Sequence, residues 1–281
     1  MSLLTERVFL DKDAGWGYFD TMCALKTPSC QKARKAIVVC PGGAYCEVSD
    51  REAIPVALKF LPHGFNAFIL TYSTVNSPDG ITDKKSGHPK PLLELSKTIA
   101  HIRKNAEKYN IDPEKIVVIG FSAGGHLAAS AATLWHHDFV VQAAGINYGE
   151  NKPNAAILCY PVITSYRIYA NTYSLDNLLC DSKNPEKDNA FYSLENQVSD
   201  KTCPCFIWHT ADDKAVPVRN ALSFAQSLTD NAIPTELHIY PNGIHGFSVA
   251  DESVYEELPQ GAAHASSWVD LCARWAEYIL D

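Results

Sequence analysis

The sequence predicts an α/β fold in which a mostly parallel central sheet carries helices on both faces. Three observations lead there. Short β-rich apolar runs recur along the 281 residues, most of them lack polar alternation, and amphipathic helical stretches separate them. Runs without alternation are buried on both faces, and strands that alternate with helices are joined by parallel crossovers.

In chain order the runs are AIVVC (36–40), AFILTY (67–72), KIVVIG (115–120), AAILCY (155–160), CFIWHT (205–210) and ELHIY (236–240). Helical patterns lie at REAIPVALKFL, LLELSKTIAHIRKNAEKY, HLAASAATLW, VRNALSFAQSLTDN and ASSWVDLCARWAEYIL. Residues 5–27 are expected to add edge strands. The stretch 164–201 is rich in Tyr, Asn, Asp and Ser and breaks the alternation. It is expected to sit over the sheet as a small polar insertion within one domain spanning 1–281. Ser49 to Glu52, read as SDRE, fits a capping box, which accounts for Glu52 without chemistry.

Composition excludes several classes. Charged residues make up 20% and apolar ones 46%, with a net charge of −8. The lysines and arginines are scattered, so no basic stripe offers itself to nucleic acid. No run has the length of a membrane span, and Glu6, Arg7 and Asp11 interrupt the N-terminus before any leader-like stretch; the sequence is read as cytoplasmic, without a membrane partner. Nine cysteines lack the spacing of a disulfide framework. The pair Cys203 and Cys205 runs into an apolar strand and is read as packing rather than as a redox or metal site.

The segment GFSAGGH places Ser122 between Gly120 and Gly124, after a predicted strand and before a predicted helix. A tight strand-to-helix turn forces the serine into a strained conformation that exposes its hydroxyl, and the small neighbours let strand and helix approach. The helix start offers amides to a developing oxyanion. A serine needs a histidine to take its proton and a carboxylate to fix the imidazole tautomer. In a serine-first chain order the acid follows a later strand, where Asp212 and Asp213 lie, and the histidine follows the last, where His245 lies. His209 and His238 sit inside strands and are read as hydrogen-bonded sheet residues. His126, one helical turn from Ser122, is read as a helix-face contact. The loop CPGGAY supplies the second oxyanion donor, either Gly43 or Ala44, to pair with the Ala123 amide. Tyr45, beside that loop, is expected to line the substrate pocket.

With these residues assembled, the chain resembles the α/β-hydrolase superfamily along nearly its whole length. It is most similar to the acetyl esterase and acetylxylan esterase branch of sugar-ester hydrolases. The matching motifs are PGGAY (41–45), SDREAIPVA (49–57), GFSAGGHLAA (120–129), YPVITS (160–165), SLENQV (193–198), WHTADDKAVPV (208–218) and ELHIYPNGIHGF (236–247). In that family the acid opens a DxxVP pattern, which begins here at Asp213. The resemblance therefore implies Ser122 as nucleophile, His245 as base and Asp213 as the group that orients it, with Asp212 a turn former or solvated. Two departures narrow the branch: Pro41 stands where hormone-sensitive-lipase relatives have a histidine, and Ala123 where prolyl-peptidase relatives have an aromatic residue.

The resemblance implies hydrolysis of short-acyl esters, acetyl above all, through an acyl-serine, with no metal or organic cofactor. The partner is then a small-molecule ester, with an acetylated saccharide the favoured class; a homodimer is left open. Tyr166, Tyr169, Tyr173, Phe191 and Tyr192 of the insertion, with Asn171, Asp176 and Asn177 between them, could face a sugar, although a self-packed cap accounts for them more simply. Peptidase or thioesterase activity on the same residues, and a non-catalytic binding protein on a hydrolase scaffold, are the competing readings.

Overall fold

The computed structural model describes residues 2–11, 17–76, 86–166 and 168–281. Its nine-stranded sheet begins with β1 (Leu3–Leu4), β2 (Arg7–Phe9), β3 (Tyr18–Ala24), β4 (Arg34–Cys40) and β5 (Phe65–Thr71). It continues with β6 (Ile111–Phe121), β7 (Ala155–Cys159), β8 (Cys205–Thr210) and β9 (Thr235–Tyr240). The strand order is β1-β3-β5-β4-β6-β7-β8-β9, and β2 also pairs with β3. From β5 to β9 every pairing is parallel; the N-terminal strands add antiparallel pairings beyond β5. The edge strands expected within 5–27 are therefore present, although residues 12–16 lie outside the described residues.

The helices are α1 (Ile54–Phe60), α2 (Lys90–Lys104), α3 (Ala123–Leu134), α4 (Asp138–Ala144), α5 (Thr172–Leu178), α6 (Pro185–Phe191), α7 (Arg219–Asp230), α8 (Ala262–Ala265) and α9 (Trp268–Leu280). Because side chains alternate across a strand, Val38 and Val39, or Val117 and Val118, enter opposite cores. One core joins Val38, Val118, Leu158 and Ile207 to Ile99 of α2, Leu127 of α3 and Phe224 of α7. The other joins Val39, Val117, Ile157 and Phe206 to Phe60 of α1 and Trp268 of α9. There Trp208 and Trp268 stack with centroids 5.3 Å apart at 19°; such a pair adds about 0.5–1.5 kcal/mol beyond the area it buries. Cys203 and Cys205 are both buried, and no disulfide links any of the nine cysteines. Among the described residues no helix is long and apolar enough to cross a membrane.

The strand order sets where a ligand can bind. The chain runs from β4 outward to β5, then returns to place β6 on the other side of β4. At such a reversal the loops leaving the two strands diverge and open a crevice at their carboxyl ends. Cys40 is in register with Gly120, so the loop after Cys40 and the turn after Phe121 flank that crevice together.

Candidate active site

Ser122 occupies the turn between β6 and α3 with φ 53° and ψ −116°. A non-glycine residue there costs about 1–3 kcal/mol and persists only where its surroundings hold it. The Ser122 N–H donates to Cys159 O at 3.0 Å, its carbonyl accepts from Val162 N–H at 3.0 Å, and α3 packs directly on the sheet. Close packing needs glycine at both flanks. A Cβ on Gly120 would stand 2.0 Å from Gly124 O, and one on Gly124 would stand 2.1 Å from Cys40 O.

The strained turn aims the hydroxyl at the loop after β9. Ser122 Oγ lies 2.8 Å from His245 Nε2, and His245 Nδ1 lies 2.7 Å from Asp213 Oδ2. An ionised carboxylate only accepts, so Nδ1 carries the proton and Nε2 accepts from the serine. Asp213 is held from behind: its Oδ1 accepts Ala215 and Val216 N–H, each at 2.9 Å. Burial would raise this carboxyl, but hydrogen bonds from His209, His245 and the Val216 amide outweigh it and hold it well below the usual carboxylate range. Asp212 is exposed and accepts Gly243 N–H at 2.8 Å, bracing the histidine loop.

The remaining histidines occupy other places. His209 is fully buried, and its Nε2–H donates to Val216 O at 2.9 Å with Asp213 Oδ2 at 3.3 Å. His238 pairs with Glu236 on its own strand at 2.7 Å. His126 donates from Nε2 to Tyr192 O at 2.9 Å, so its Nδ1 accepts the Tyr45 hydroxyl at 2.9 Å. Burial lowers its pKa to about 4, which keeps it neutral.

The loop after β4 is wound with positive φ at three successive residues: 124° at Gly43, 55° at Ala44 and 55° at Tyr45. Among the described residues the Gly43, Ala44 and Ala123 amides donate to no protein acceptor, whereas the Gly42 amide is taken by Glu52. The loop is braced by Glu47 N–H to Gly43 O at 3.0 Å and by Asn177 Nδ2 of α5 to Ala44 O at 2.9 Å.

Two expectations need correction. Tyr45 does not line the cleft: it is 2% exposed, with its ring edge-on to Tyr72 and His126. Its left-handed backbone turns the side chain inward, where the phenol finds a buried partner. Nor does SDRE form a capping box. Ser49 makes no side-chain cap, and Glu52, 3% exposed, instead accepts Gly42 N–H at 2.7 Å and the Tyr160 hydroxyl at 2.6 Å. The short turn at Asp50–Glu52 points that carboxylate under the site, where two buried donors need an acceptor.

The cleft above these groups has a volume of about 480 Å³, and Ser122, His245, Gly43, Ala44, Arg51 and Tyr173 are among the residues that line it. Asn171 and Ser174 also face it, so the stretch 164–201 contributes part of the wall. Asn171 ties this wall to the acid loop, its Nδ2 donating to Ala215 O at 2.9 Å. Asn171 and Asn177, legible in the sequence as amides suited to a sugar, instead brace the loops at Ala215 and Ala44. The role of Glu52 was not legible; its one local signal was an acid ten residues after Gly42.

Residues 24–228 match the BD-FAE family. Among curated proteins the chain is 40% identical over 225 residues to endo-1,4-beta-xylanase B of Butyrivibrio fibrisolvens, covering 79% of this chain and 34% of that protein. It is 30% identical over 219 residues to the acetylxylan esterase of Xylanibacter ruminicola, covering 76% of this chain and 41% of that one. The chain thus spans well under half the length of these relatives. Among solved structures, the acetyl ester-xyloside bifunctional hydrolase of Caldicellulosiruptor lactoaceticus superposes with a TM-score of 0.76 at 35% identity, covering 94% of this chain and 88% of that one. The match over most of its length, together with the parallel sheet and the loops at its strand ends, makes this chain a member of the BD-FAE family with an α/β-hydrolase fold.

Proposed function

We propose that the protein is a serine carboxylesterase that hydrolyses short-acyl esters, acetyl esters of sugars or oligosaccharides above all, through an acyl-serine intermediate. The observation that carries the reading is the continuous chain from Ser122 Oγ to His245 at 2.8 Å and from His245 to Asp213 at 2.7 Å.

In this reading His245 Nε2 takes the Ser122 proton as Oγ attacks the ester carbonyl. Asp213 stabilises the imidazolium that forms, and the oxyanion turns toward the Ala123 amide and that of Gly43 or Ala44. Losing one such donor costs about 2.7–4 kcal/mol of transition-state stabilisation. His245 then returns the proton to the departing alkoxide. Water, activated by the same imidazole, attacks the acyl-serine and frees the acid.

The choice of alcohol draws on the relatives named as an acetylxylan esterase and an acetyl ester-xyloside hydrolase. Polar Asn171, Ser174, Glu47 and Arg51 on the cleft wall suit a hydroxylated leaving group. A cytoplasmic location belongs to this reading, the nine cysteines lacking the spacing of a disulfide framework. The test is a panel of p-nitrophenyl esters of increasing acyl length and acetylated xylo-oligosaccharides, run beside Ser122→Ala. Acetate esters should be cleaved best and the variant should be inert. Activity that survives Ser122→Ala, or a preference for thioesters or peptides, would overturn the assignment.

A further inference from the structure

One buried carboxylate beneath the cleft has no part in the chemistry above. Glu52 Oε2 accepts Gly42 N–H at 2.7 Å, and Oε1 accepts the Tyr160 hydroxyl at 2.6 Å. Tyr160 Oη in turn accepts Ser248 N–H at 2.8 Å. Gly42 directly precedes the oxyanion residues, and Ser248 lies in the loop that presents His245. Tyr160 also stands edge-on to the His245 ring, centroids 5.2 Å apart at 71°. One carboxylate and one phenol therefore join the two loops that must meet at the reacting carbonyl.

The hydrogen bonds suit the ionised carboxylate: with Glu52 ionised, each of the three donors has an acceptor, whereas an added proton would leave one hydrogen of the network without an acceptor among the described residues. Burial works against the charge and raises the Glu52 pKa; the Tyr160 and Gly42 hydrogen bonds and the nearby His245 oppose that shift. Removing the carboxylate would strand two buried donors, so a stability cost accompanies any loss at this position; what sets Glu52 apart is that its donors belong to two different loops of the site.

The Gly42 amide matters most. It lies at the start of the loop whose next three residues have positive φ, and its direction sets how the Gly43 and Ala44 amides face the cleft. Glu52 is the acceptor that holds it, from a segment ten residues away. Around it the fit is tight: a Cβ on Gly42 would come within 2.7 Å of Glu52 Oε2 and 3.2 Å of Ser122 Cβ.

We propose that Glu52 is a positioning residue for ester hydrolysis, holding the oxyanion loop through Gly42 and the histidine loop through Tyr160 so that both face the same carbonyl. The proposal rests on the esterase reading above. It assigns Glu52 no contact with substrate and no proton transfer.

The experiment compares wild type, Glu52→Ala, Glu52→Gln and Tyr160→Phe on p-nitrophenyl acetate, with a trifluoromethyl ketone as a probe that forms a tetrahedral adduct on serine. Circular dichroism and melting establish which variants fold. Because a misdirected oxyanion donor weakens transition-state binding, Glu52→Ala should lower kcat by about 10²-fold while KM changes less than about threefold. Affinity for the ketone should fall by a similar factor. Glu52→Gln, whose amide oxygen can still accept Gly42 N–H, should recover to within about tenfold of wild type, and Tyr160→Phe should lose about three- to tenfold in kcat.

A folded Glu52→Ala with wild-type kcat and ketone affinity overturns the proposal, as does a loss confined to KM or a Gln variant as impaired as Ala. If Glu52→Ala does not fold, Tyr160→Phe carries the test, and a wild-type kcat there overturns it. Labelling of Ser122 by a fluorophosphonate separates the two readings. Failure of wild type to label or turn over removes both, whereas full labelling and turnover in the variants removes only the role of Glu52.

Discussion

His209 Nε2 stands 3.3 Å from Asp213 Oδ2, and both side chains are wholly enclosed. Asp213, which accepts from His245, thus meets a second imidazole, which donates to Val216 O within the loop that carries Asp213. Its Nδ1 is buried with no hydrogen-bond partner among the described residues. His209→Phe would leave Val216 O unpaired and remove one of the groups that lower the Asp213 pKa. Steady-state kinetics should show kcat lower by about tenfold with KM little changed, the loss expected for one hydrogen bond to a charged group. Asp213→Asn, which disturbs the tautomer itself, should cost about 10⁴-fold. Equal losses in the two variants would contradict this ranking.

The neutral state of His126 predicts a pH dependence of stability. Its folded pKa is about 4, against about 6.5 in an unfolded chain. Below the unfolded value the unfolded chain binds the extra proton, so stability should fall as pH drops from about 6.5 and level off near the folded value. The shift corresponds to about 3 kcal/mol at most. Urea denaturation of wild type and His126→Gln between pH 7 and pH 4 should converge as pH falls, since only wild type carries this term. Parallel curves would exclude it.

Gly124→Ala tests the contact between α3 and the loop after β4. The added methyl would stand 2.1 Å from Cys40 O and 2.4 Å from Pro41 O, both backbone atoms. Overpacking of this kind typically costs about 1–3 kcal/mol. A clash with two carbonyls should reach the upper end, and activity should fall further than stability because Ser122 moves with α3. Chemical denaturation and fluorophosphonate labelling measured side by side would check this.

Asn177→Ala removes the brace from α5 to Ala44 O. With the left-handed loop less firmly held, kcat should drop several-fold, and stability by about 1 kcal/mol. Asn171→Ala, which frees Ala215 O in the acid loop, should show a similar loss. Kinetics on acetate esters together with thermal melting would separate the two effects.

The apolar runs that predicted the strands matched closely, because burial on both faces leaves an unbroken signature in the chain: AIVVC falls within β4 and CFIWHT coincides with β8. The turn at Ser122 was equally legible, since close packing of strand and helix demands glycine at fixed offsets. Glu52 and Tyr45 were misread for one shared reason. Each is placed by partners 81 to 108 positions away, His126 and Tyr160, and such pairings leave no local pattern. The same holds for Asn177, whose partner Ala44 lies 133 positions off. Asp213 was separable from Asp212 only through resemblance, because neighbouring carboxylates carry identical local signals until the loop decides which one turns inward.

Two asparagine amides moor the segment between β7 and β8 to the loops beneath it, one at Ala215 O and one at Ala44 O. His126 and Asn220 sew the same segment to the body through Tyr192 O and Tyr169 O, and its Leu178 and Leu194 enter the core below. Such a roof is no loose cover: a change to its underside is transmitted to the floor, whatever the guest.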